Sequence, residues 1–115
     1  TIAGTVGLRK VDAGTYEFTK MAVDRQHRRL GIAEAITYAS FEKAGALGAA
    51  TVILYSNTKN AGAVKLYEKA GFHHVEVEKG VYERANVKMM ISIEDAMARA
   101  GLYKKTQLNN YATLT

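Results

Sequence analysis

A glycine turn between two runs of different periodicity constrains the fold of this chain more than any other feature. The stretch Arg28-Arg29-Leu30-Gly31-Ile32-Ala33 joins an alternating run, Tyr16–Val23, to a run with helical spacing, Ile32–Leu47. The first pattern predicts a strand and the second an amphipathic helix. A helix that begins at such a turn leaves its first backbone N–H groups unpaired, at the positive end of the helix dipole, so the turn predicts an anion site. Arg28 and Arg29 add positive charge that suits phosphate.

Other nucleotide-binding loops fit this stretch less well. It lacks the Lys-Ser/Thr ending of a P-loop, which disfavours hydrolysis of a nucleoside triphosphate. It also lacks a full Gly-x-Gly-x-x-Gly, and no acidic residue follows at the ribose distance, which argues against a dinucleotide site. The competing interpretation, which the stretch alone leaves open, is a tight turn with solvated arginines.

The other periodic runs predict an α/β (α+β) fold, in which a mixed, mostly antiparallel sheet is flanked by helices. In chain order they indicate strand, strand, helix, strand, helix, strand, strand and a short final helix. Their bounds are Ile2–Leu8, Tyr16–Val23, Ile32–Leu47, Thr51–Tyr55, Ala61–Ala70, Phe72–Val77, Asn86–Ile93 and Glu94–Ala100. Residues 1–100 are expected to form one domain. Residues 101–115, which show no clear period, are expected to be a C-terminal tail.

Two of these runs also predict which side chains share a face. In the strand Tyr16–Val23, uninterrupted alternation places Phe18 and Met21 on opposite faces. In the first helix, an apolar stripe at helical spacing predicts the buried face. That stripe consists of Ile32, Ala35, Ile36 and Ala39.

Composition limits the classes of function. The 115 residues carry a formal net charge of +5, but the basic side chains are scattered, so nucleic-acid binding is only a weak third alternative. The lack of cysteine excludes disulfides and thiolate metal sites, and it is compatible with the cytoplasmic location that we expect. No spacing of His, Asp and Glu predicts a metal site. No apolar run has the length of a membrane span.

A second motif runs from Asn57 to Phe72 and reads N-T-K-N-A-G-A-V-K-L-Y-E-K-A-G-F. With the first motif, it resembles the signatures of the GNAT superfamily of acyl-CoA-dependent N-acyltransferases. The first motif is similar to Arg/Gln-x-x-Gly-x-Gly/Ala, with Ala33 at the last position. The second is similar to Asn…Asn-Ala…Leu-Tyr-x-Lys-x-Gly-Phe. The likeness extends from about Gly4 to Ile93 and is specific, because both motifs occur in the family's order and spacing.

The resemblance implies acetyl-CoA as co-substrate, held where the strand Tyr16–Val23 splays from the strand Thr51–Tyr55. The backbone of the first strand would pair with the pantetheine arm, the glycine turn would hold the pyrophosphate, and the second motif would contact the cofactor from the far side. The implied cofactor-binding residues are, in that order, Met21, Ala22 and Val23; Arg28, Arg29, Leu30, Gly31, Ile32 and Ala33; and Asn57, Asn60 and Tyr67.

The implied reaction is acetyl transfer to a primary amine, by direct attack through a tetrahedral intermediate. Tyr67 is the expected general acid, since a phenol can protonate the departing thiolate, although its place on an apolar stripe also fits a core aromatic. Glu17 is the candidate base, with a merely solvated carboxylate as the alternative. Histidine side chains in general can act as acids or bases near neutral pH, but His73 and His74 are expected to be surface residues.

The chain departs from the family at its beginning, where the usual opening elements are absent. The strand Ile2–Leu8 is then expected at a sheet edge, covered by an upstream segment or by a partner chain, as in a homodimer. Because the missing elements build one side of the family's acceptor pocket, the alternative function is a non-catalytic acyl-CoA-binding or protein-interaction module. The acceptor amine is not identified, since the loop Glu78–Ala85 expected to border its site carries both signs of charge.

Overall fold

The computed structural model describes residues 4–23, 31–80 and 85–114, and within them the elements follow the predicted order. Asn60 and Gly71 lie at the two ends of the second helix, as their positions in the sequence predict. The elements are β1 (Gly4–Lys10), β2 (Thr15–Val23), α1 (Ile32–Ala46), β3 (Thr51–Ser56), α2 (Ala61–Ala70), β4 (His73–Val75), β5 (Val87–Ser92) and α3 (Ile93–Leu114).

The five strands form one sheet in the order β1-β2-β3-β5-β4. β2 and β3 are parallel, and the other three neighbouring pairs are antiparallel. The predicted mixed, mostly antiparallel sheet is therefore confirmed. In the described part of the sheet, β1 lies at one edge, as expected for the first strand.

A β-bulge interrupts β2 beside β1. Leu8 lies opposite Phe18 and Val6 lies opposite Met21, so two steps along β1 match three along β2. The uninterrupted alternation predicted for β2 is therefore wrong beyond Phe18, because the bulge inserts one residue into the strand. Gly7 lies opposite the bulge, where a Cβ would come within 2.3 Å of Thr19 Oγ1.

One face of the sheet carries the core. Alternate residues of β2, β3 and β5 meet side chains from all three helices there. An aromatic group of four rings joins β2 to α1 and α2, with ring centroids 5.5–6.5 Å apart. Its members are Phe18, Phe41, Tyr67 and Phe72. The helices of the described chain therefore pack on this face. The strand residues that lie between the core-facing ones point to the other face.

The buried face of α1 differs from the predicted stripe. Ala39 is exposed, whereas Thr37, Tyr38, Ser40 and Phe41 are buried. The large rings bury far more apolar area than alanines and so decide which side of the helix faces the core. The two hydroxyls can be buried because each donates to the carbonyl four residues earlier, over 2.8 Å.

The last helix is longer than predicted. The sequence pattern predicts an end at Ala100, which is wrong, since α3 continues through the segment 101–114. Tyr103 stacks on Tyr38 of α1 with ring centroids 4.5 Å apart, and Lys104 pairs with Glu42 over 2.8 Å. This packing offsets the cost of about 1 kcal/mol that Gly101 adds inside a helix.

Candidate active site

The sheet opens between β2 and β3. Their pairing begins at Thr15–Thr51 and ends at Phe18–Leu54. Both strands continue, β2 to Val23 and β3 to Ser56, without further pairs in the described part of the sheet. The predicted splay of these strands is therefore confirmed. On this side of β2 the backbone of Met21–Val23 has no described strand partner. The amide groups of this segment that do not point toward β1 are therefore directed to the opening.

The glycine turn lies at the start of α1, beyond the open end of β2. Gly31 is the N-cap residue and has φ 75° and ψ 15°, a left-handed conformation that glycine adopts without strain. Because glycine has no side chain, the N-cap supplies no oxygen to the N–H groups of Ala33 and Glu34 in the first turn. The start of α1 thus keeps the donors that an anion requires. Arg28, Arg29 and Leu30 lie outside the described residues.

Tyr67 lies on the helix-bearing face, close to the start of the opening. Its ring packs edge-on against Phe18, the last paired residue of β2, and against Phe72, with centroids 6.5 and 5.8 Å away. The side chain is 9% exposed, so it is a core aromatic. Burial raises the pKa of the Tyr67 hydroxyl above its usual value of 10, which keeps it protonated at neutral pH.

The turn between β3 and α2 is held by hydrogen bonds of asparagines. Asn57 accepts from the backbone N–H of Lys59 through its side chain, over 3.1 Å, and from that of Asn60 through its carbonyl, over 2.8 Å. Asn60 occupies the N-cap position of α2, but its side chain makes no capping bond. With φ −96° and ψ 54°, its backbone departs from the extended conformation that capping asparagines adopt.

A further asparagine, which lies outside both sequence motifs, supports the same turn. Asn86 exchanges two hydrogen bonds with Thr58 and thereby ties the turn to the beginning of β5. An asparagine just before a strand is common in loops. Nothing in the local sequence indicates that it reaches a turn 28 residues away.

Glu17 lies on the face of β2 opposite to that of Phe18. Its carboxylate forms a salt bridge of 2.7 Å with Arg9, its cross-strand partner on β1. The Glu17 side chain is 14% exposed, so the alternative of a merely solvated carboxylate does not fit. The sheet therefore separates Glu17 from Tyr67, although both lie near the opening.

The two histidines are far from the opening in the sheet order. Both are exposed on β4, which β5 and β3 separate from β2. His74 Nε2 lies 2.9 Å from Glu68 Oε2.

Across the described ranges, no group of three or more His, Cys, Asp or Glu side chains is placed to hold a metal ion. None of the helices in those ranges combines the length and the apolar character that crossing a membrane requires.

Comparison with known sequences decides the family. The family model described as the Acetyltransferase (GNAT) family matches residues 1–72, which include both motifs. The chain belongs to this family. The resemblance inferred from the two motifs is thus confirmed. No curated protein matches this GNAT chain in a sequence search.

Solved structures of GNAT proteins share its fold. An acetyltransferase of the GNAT family from Staphylococcus aureus Mu50 superposes with a TM-score of 0.70 and 21% identity, over 80% of this chain and 60% of that one. The Bacillus subtilis acetyltransferase in complex with CoA gives 0.72 and 22%, over 80% and 70%. A GNAT family acetyltransferase from Elizabethkingia anophelis with acetyl-CoA bound gives 0.72 and 18%, over 80% and 69%. This GNAT chain thus spans 60–70% of the length of these relatives.

Proposed function

We propose that this protein is an N-acetyltransferase that moves the acetyl group of acetyl-CoA to a primary amine. The observation that carries the proposal is the opening between β2 and β3, which begins where the Phe18–Leu54 pair ends. Membership of the GNAT acetyltransferase family supports acyl transfer. CoA and acetyl-CoA bound to two proteins of the same fold support the choice of co-substrate.

The residues around the opening fit coenzyme A. The pantetheine arm contains amides, which suit the open backbone edge of Met21–Val23. The pyrophosphate suits the first N–H groups of α1 after Gly31, with Arg28 beside them in the sequence. The Asn60 side chain, which makes no capping bond, and the Asn57 turn border the opposite side. These groups are the proposed contacts of the co-substrate.

The proposed chemistry is direct attack of a neutral amine on the thioester carbonyl. The C–N bond forms, a tetrahedral intermediate carries an oxyanion, and the C–S bond then breaks. Backbone N–H groups near Met21 are our candidates for stabilising the oxyanion. We assign Tyr67 to the departing thiolate, to which its protonated hydroxyl can give a hydrogen bond or a proton.

The amine must also lose a proton, and Glu17 is the candidate base. The salt bridge with Arg9 fixes its carboxylate on the far face of β2. Its position on the far face means that a proton would reach it through water. Glu17→Gln keeps the size and removes the basic oxygen, so we expect a lower kcat with an unchanged affinity for acetyl-CoA. An unchanged kcat would exclude Glu17 as the base.

The alternative function is a GNAT-like module that binds acyl-CoA or a partner protein without turnover. The observation that favours it is the salt bridge between Glu17 and Arg9, because it occupies the carboxylate of the proposed base. A thiol-release assay with acetyl-CoA and a panel of amines separates the two functions. Release that depends on an amine supports the transferase. Binding of acetyl-CoA without release from any amine supports the module. The acceptor, the cytoplasmic location and the homodimer stay predictions.

A further inference from the structure

A polar cluster, formed by Tyr55, Glu78 and Lys88, lies on the sheet face opposite to the helices. The Tyr55 hydroxyl donates to Glu78 Oε2 over 2.6 Å, and the Lys88 ammonium donates to Glu78 Oε1. Lys88 Nζ also lies 5.5 Å from the centroid of the Tyr55 ring. Tyr55 and Lys88 are cross-strand partners on β3 and β5, so the register of the sheet places both groups that hold the carboxylate.

This cluster lies at the mouth of the opening. Tyr55 is the first residue of β3 beyond the last pair with β2, which is Phe18–Leu54. Leu54 faces the helices with Tyr67, so by alternation Tyr55 faces the other way. Tyr67, which is assigned above to the departing thiolate, lies on the helix-bearing face. The face that carries Tyr55 and Glu78 is therefore the one left for the acceptor.

The part of this cluster that faces solvent presents hydrogen-bond acceptors, and Arg9, an exposed cation on the same face, is paired with Glu17. Glu78 is 47% exposed, whereas Lys88 is 14% exposed, so the anion of the pair faces solvent and the cation is largely covered. Tyr55 uses its proton on Glu78 and so presents oxygen lone pairs. The carboxylate also has lone pairs left after two hydrogen bonds. The hydrogen bonds from Lys88 and Tyr55 lower the pKa of Glu78, which keeps it ionised. Such a surface suits an ammonium group.

The bound ammonium and the attacking nitrogen cannot be the same atom at the moment of reaction. A carboxylate beside an ammonium stabilises its charged form and raises its pKa, whereas attack on a thioester requires the neutral amine. We propose that Glu78 binds a second, non-reacting ammonium group of the acceptor, which makes the acceptor a diamine or a polyamine. This inference rests on the proposed acetyltransferase function and names its substrate class.

The test compares two acceptors that differ by one amino group, 1,4-diaminobutane and butylamine, in the thiol-release assay. For the unaltered protein we expect a KM about tenfold lower for the diamine, the effect of one charge-assisted hydrogen bond. In Glu78→Gln this preference should disappear, through a higher KM for the diamine and an unchanged KM for butylamine. Glu76→Gln is the matched control, because Glu76 is exposed nearby and carries the same charge. It should keep the preference.

A second variant and a second measurement make the outcome independent of folding and of turnover. Tyr55→Phe keeps the ion pair between Glu78 and Lys88 but removes one acceptor, so it should lose part of the preference. Calorimetric titration of 1,4-diaminobutane into the CoA-bound protein should show binding that Glu78→Gln abolishes and Glu76→Gln keeps.

The two ways of failing are distinguishable. Thiol release at equal KM for the two amines overturns the ammonium site and leaves the acetyltransferase function intact. No release with any amine overturns the acetyltransferase function, and the titration then decides on the ammonium site. Equal affinity of the diamine for the unaltered protein and for Glu78→Gln overturns that site as well.

Discussion

Asn86 and Thr58 are joined by two reciprocal hydrogen bonds. Asn86 Oδ1 accepts from the Thr58 backbone N–H over 2.9 Å, and Asn86 Nδ2 donates to Thr58 Oγ1 over 3.1 Å. Asn86 directly precedes β5, whereas Thr58 belongs to the turn between β3 and α2. The pair therefore ties that turn to the sheet. Because the turn carries Asn57 and Asn60, we infer that these two hydrogen bonds fix the position of two proposed cofactor contacts.

Replacing Asn86 tests this inference. Asn86→Ala removes both bonds, so we expect the free energy of unfolding to fall by about 1 kcal/mol and the affinity for acetyl-CoA to fall about fivefold. Thr58→Ser is the matched control, since it keeps both the backbone N–H and a hydroxyl at the same place. Urea denaturation and calorimetric titration measure the two effects. Loss of stability at unchanged affinity for acetyl-CoA would show that the cofactor contacts do not depend on these two hydrogen bonds.

Gly31 allows a test of the proposed pyrophosphate site. Gly31→Asp places a carboxylate at the N-cap of α1, where it would accept the first-turn N–H groups and repel phosphate. Aspartate tolerates the left-handed conformation of this position (φ 75°) better than most residues. Among the residues that the structure describes, a Cβ at Gly31 would also meet no heavy atom within 4 Å. We therefore expect a folded variant whose affinity for acetyl-CoA is lower by about tenfold or more.

The matched control at this position is Gly31→Asn, which has nearly the same shape and no charge. We expect it to weaken acetyl-CoA binding less than Gly31→Asp. The difference between the two variants should shrink as ionic strength rises, because salt screens the repulsion between charges. Calorimetric titration at low and high salt measures both. If Gly31→Asp keeps its full affinity for acetyl-CoA, the start of α1 is not the pyrophosphate site.

The parts of the fold that the sequence predicts well are those that a few adjacent residues determine. The glycine turn into α1 and the end of α2 at Gly71 both require a left-handed backbone conformation. Glycine adopts this conformation readily, so its place in the sequence indicates where each helix begins or ends. The continuous apolar run Thr51–Tyr55 similarly predicts a strand inside the sheet. Such features can be predicted without knowing which distant residues they contact.

The parts that the sequence does not predict depend on contacts between distant residues. The stack of Tyr103 on Tyr38 carries α3 beyond Ala100. The rings that pack on the sheet rotate the buried face of α1 away from the predicted apolar stripe. The cluster of Tyr55, Glu78 and Lys88 forms only when β3 pairs with β5. In the candidate site, the motifs predict the opening but not the position of Glu17 relative to Tyr67, because the alternation within β2 does not indicate which face α2 packs on.

Tyr67 is expected to contribute to catalysis through its hydroxyl and to stability through its ring. Tyr67→Phe keeps the ring between Phe18 and Phe72, so the free energy of unfolding at neutral pH should change by less than about 1 kcal/mol. Loss of the proposed general acid should lower kcat about 100-fold or more, with little change in the affinity for acetyl-CoA. Tyr38→Phe is the control, since Tyr38 is also buried but lies outside the opening. Equal kcat in Tyr67→Phe and the unaltered protein would exclude the proposed acid.

The raised pKa of Tyr67 also predicts how stability depends on pH. Burial raises the pKa of Tyr67 in the folded protein above its usual value of 10. The hydroxyl's contribution to stability is therefore fully present below about pH 10 and is lost as the pH rises through the folded-state pKa. Between about pH 9 and about pH 11, the unaltered protein should lose more stability than Tyr67→Phe. Urea denaturation at both pH values measures the difference, and parallel losses would contradict it.

Gly7 and Thr19 provide a test of the bulge in β2. A Cβ at Gly7 would lie 2.3 Å from Thr19 Oγ1 but 3.7 Å from Thr19 Cβ. Gly7 does not have a positive φ, so its backbone suits alanine, and the clash with a stiff β-branched side chain decides the outcome. We expect Gly7→Ala to lower the free energy of unfolding by about 1–3 kcal/mol. Thr19→Ala removes the clashing oxygen from an exposed position and should have little effect alone.

The double variant Gly7→Ala, Thr19→Ala should therefore recover most of the stability that Gly7→Ala loses. Urea denaturation of the four proteins gives a coupling free energy, which we expect to be at least about 1 kcal/mol, since the two residues are in contact. Additive effects would mean that β1 and β2 adjust their spacing without the clash. Strong coupling would show that glycine is required opposite the bulge, because only there does the extra residue of β2 direct a side chain into β1.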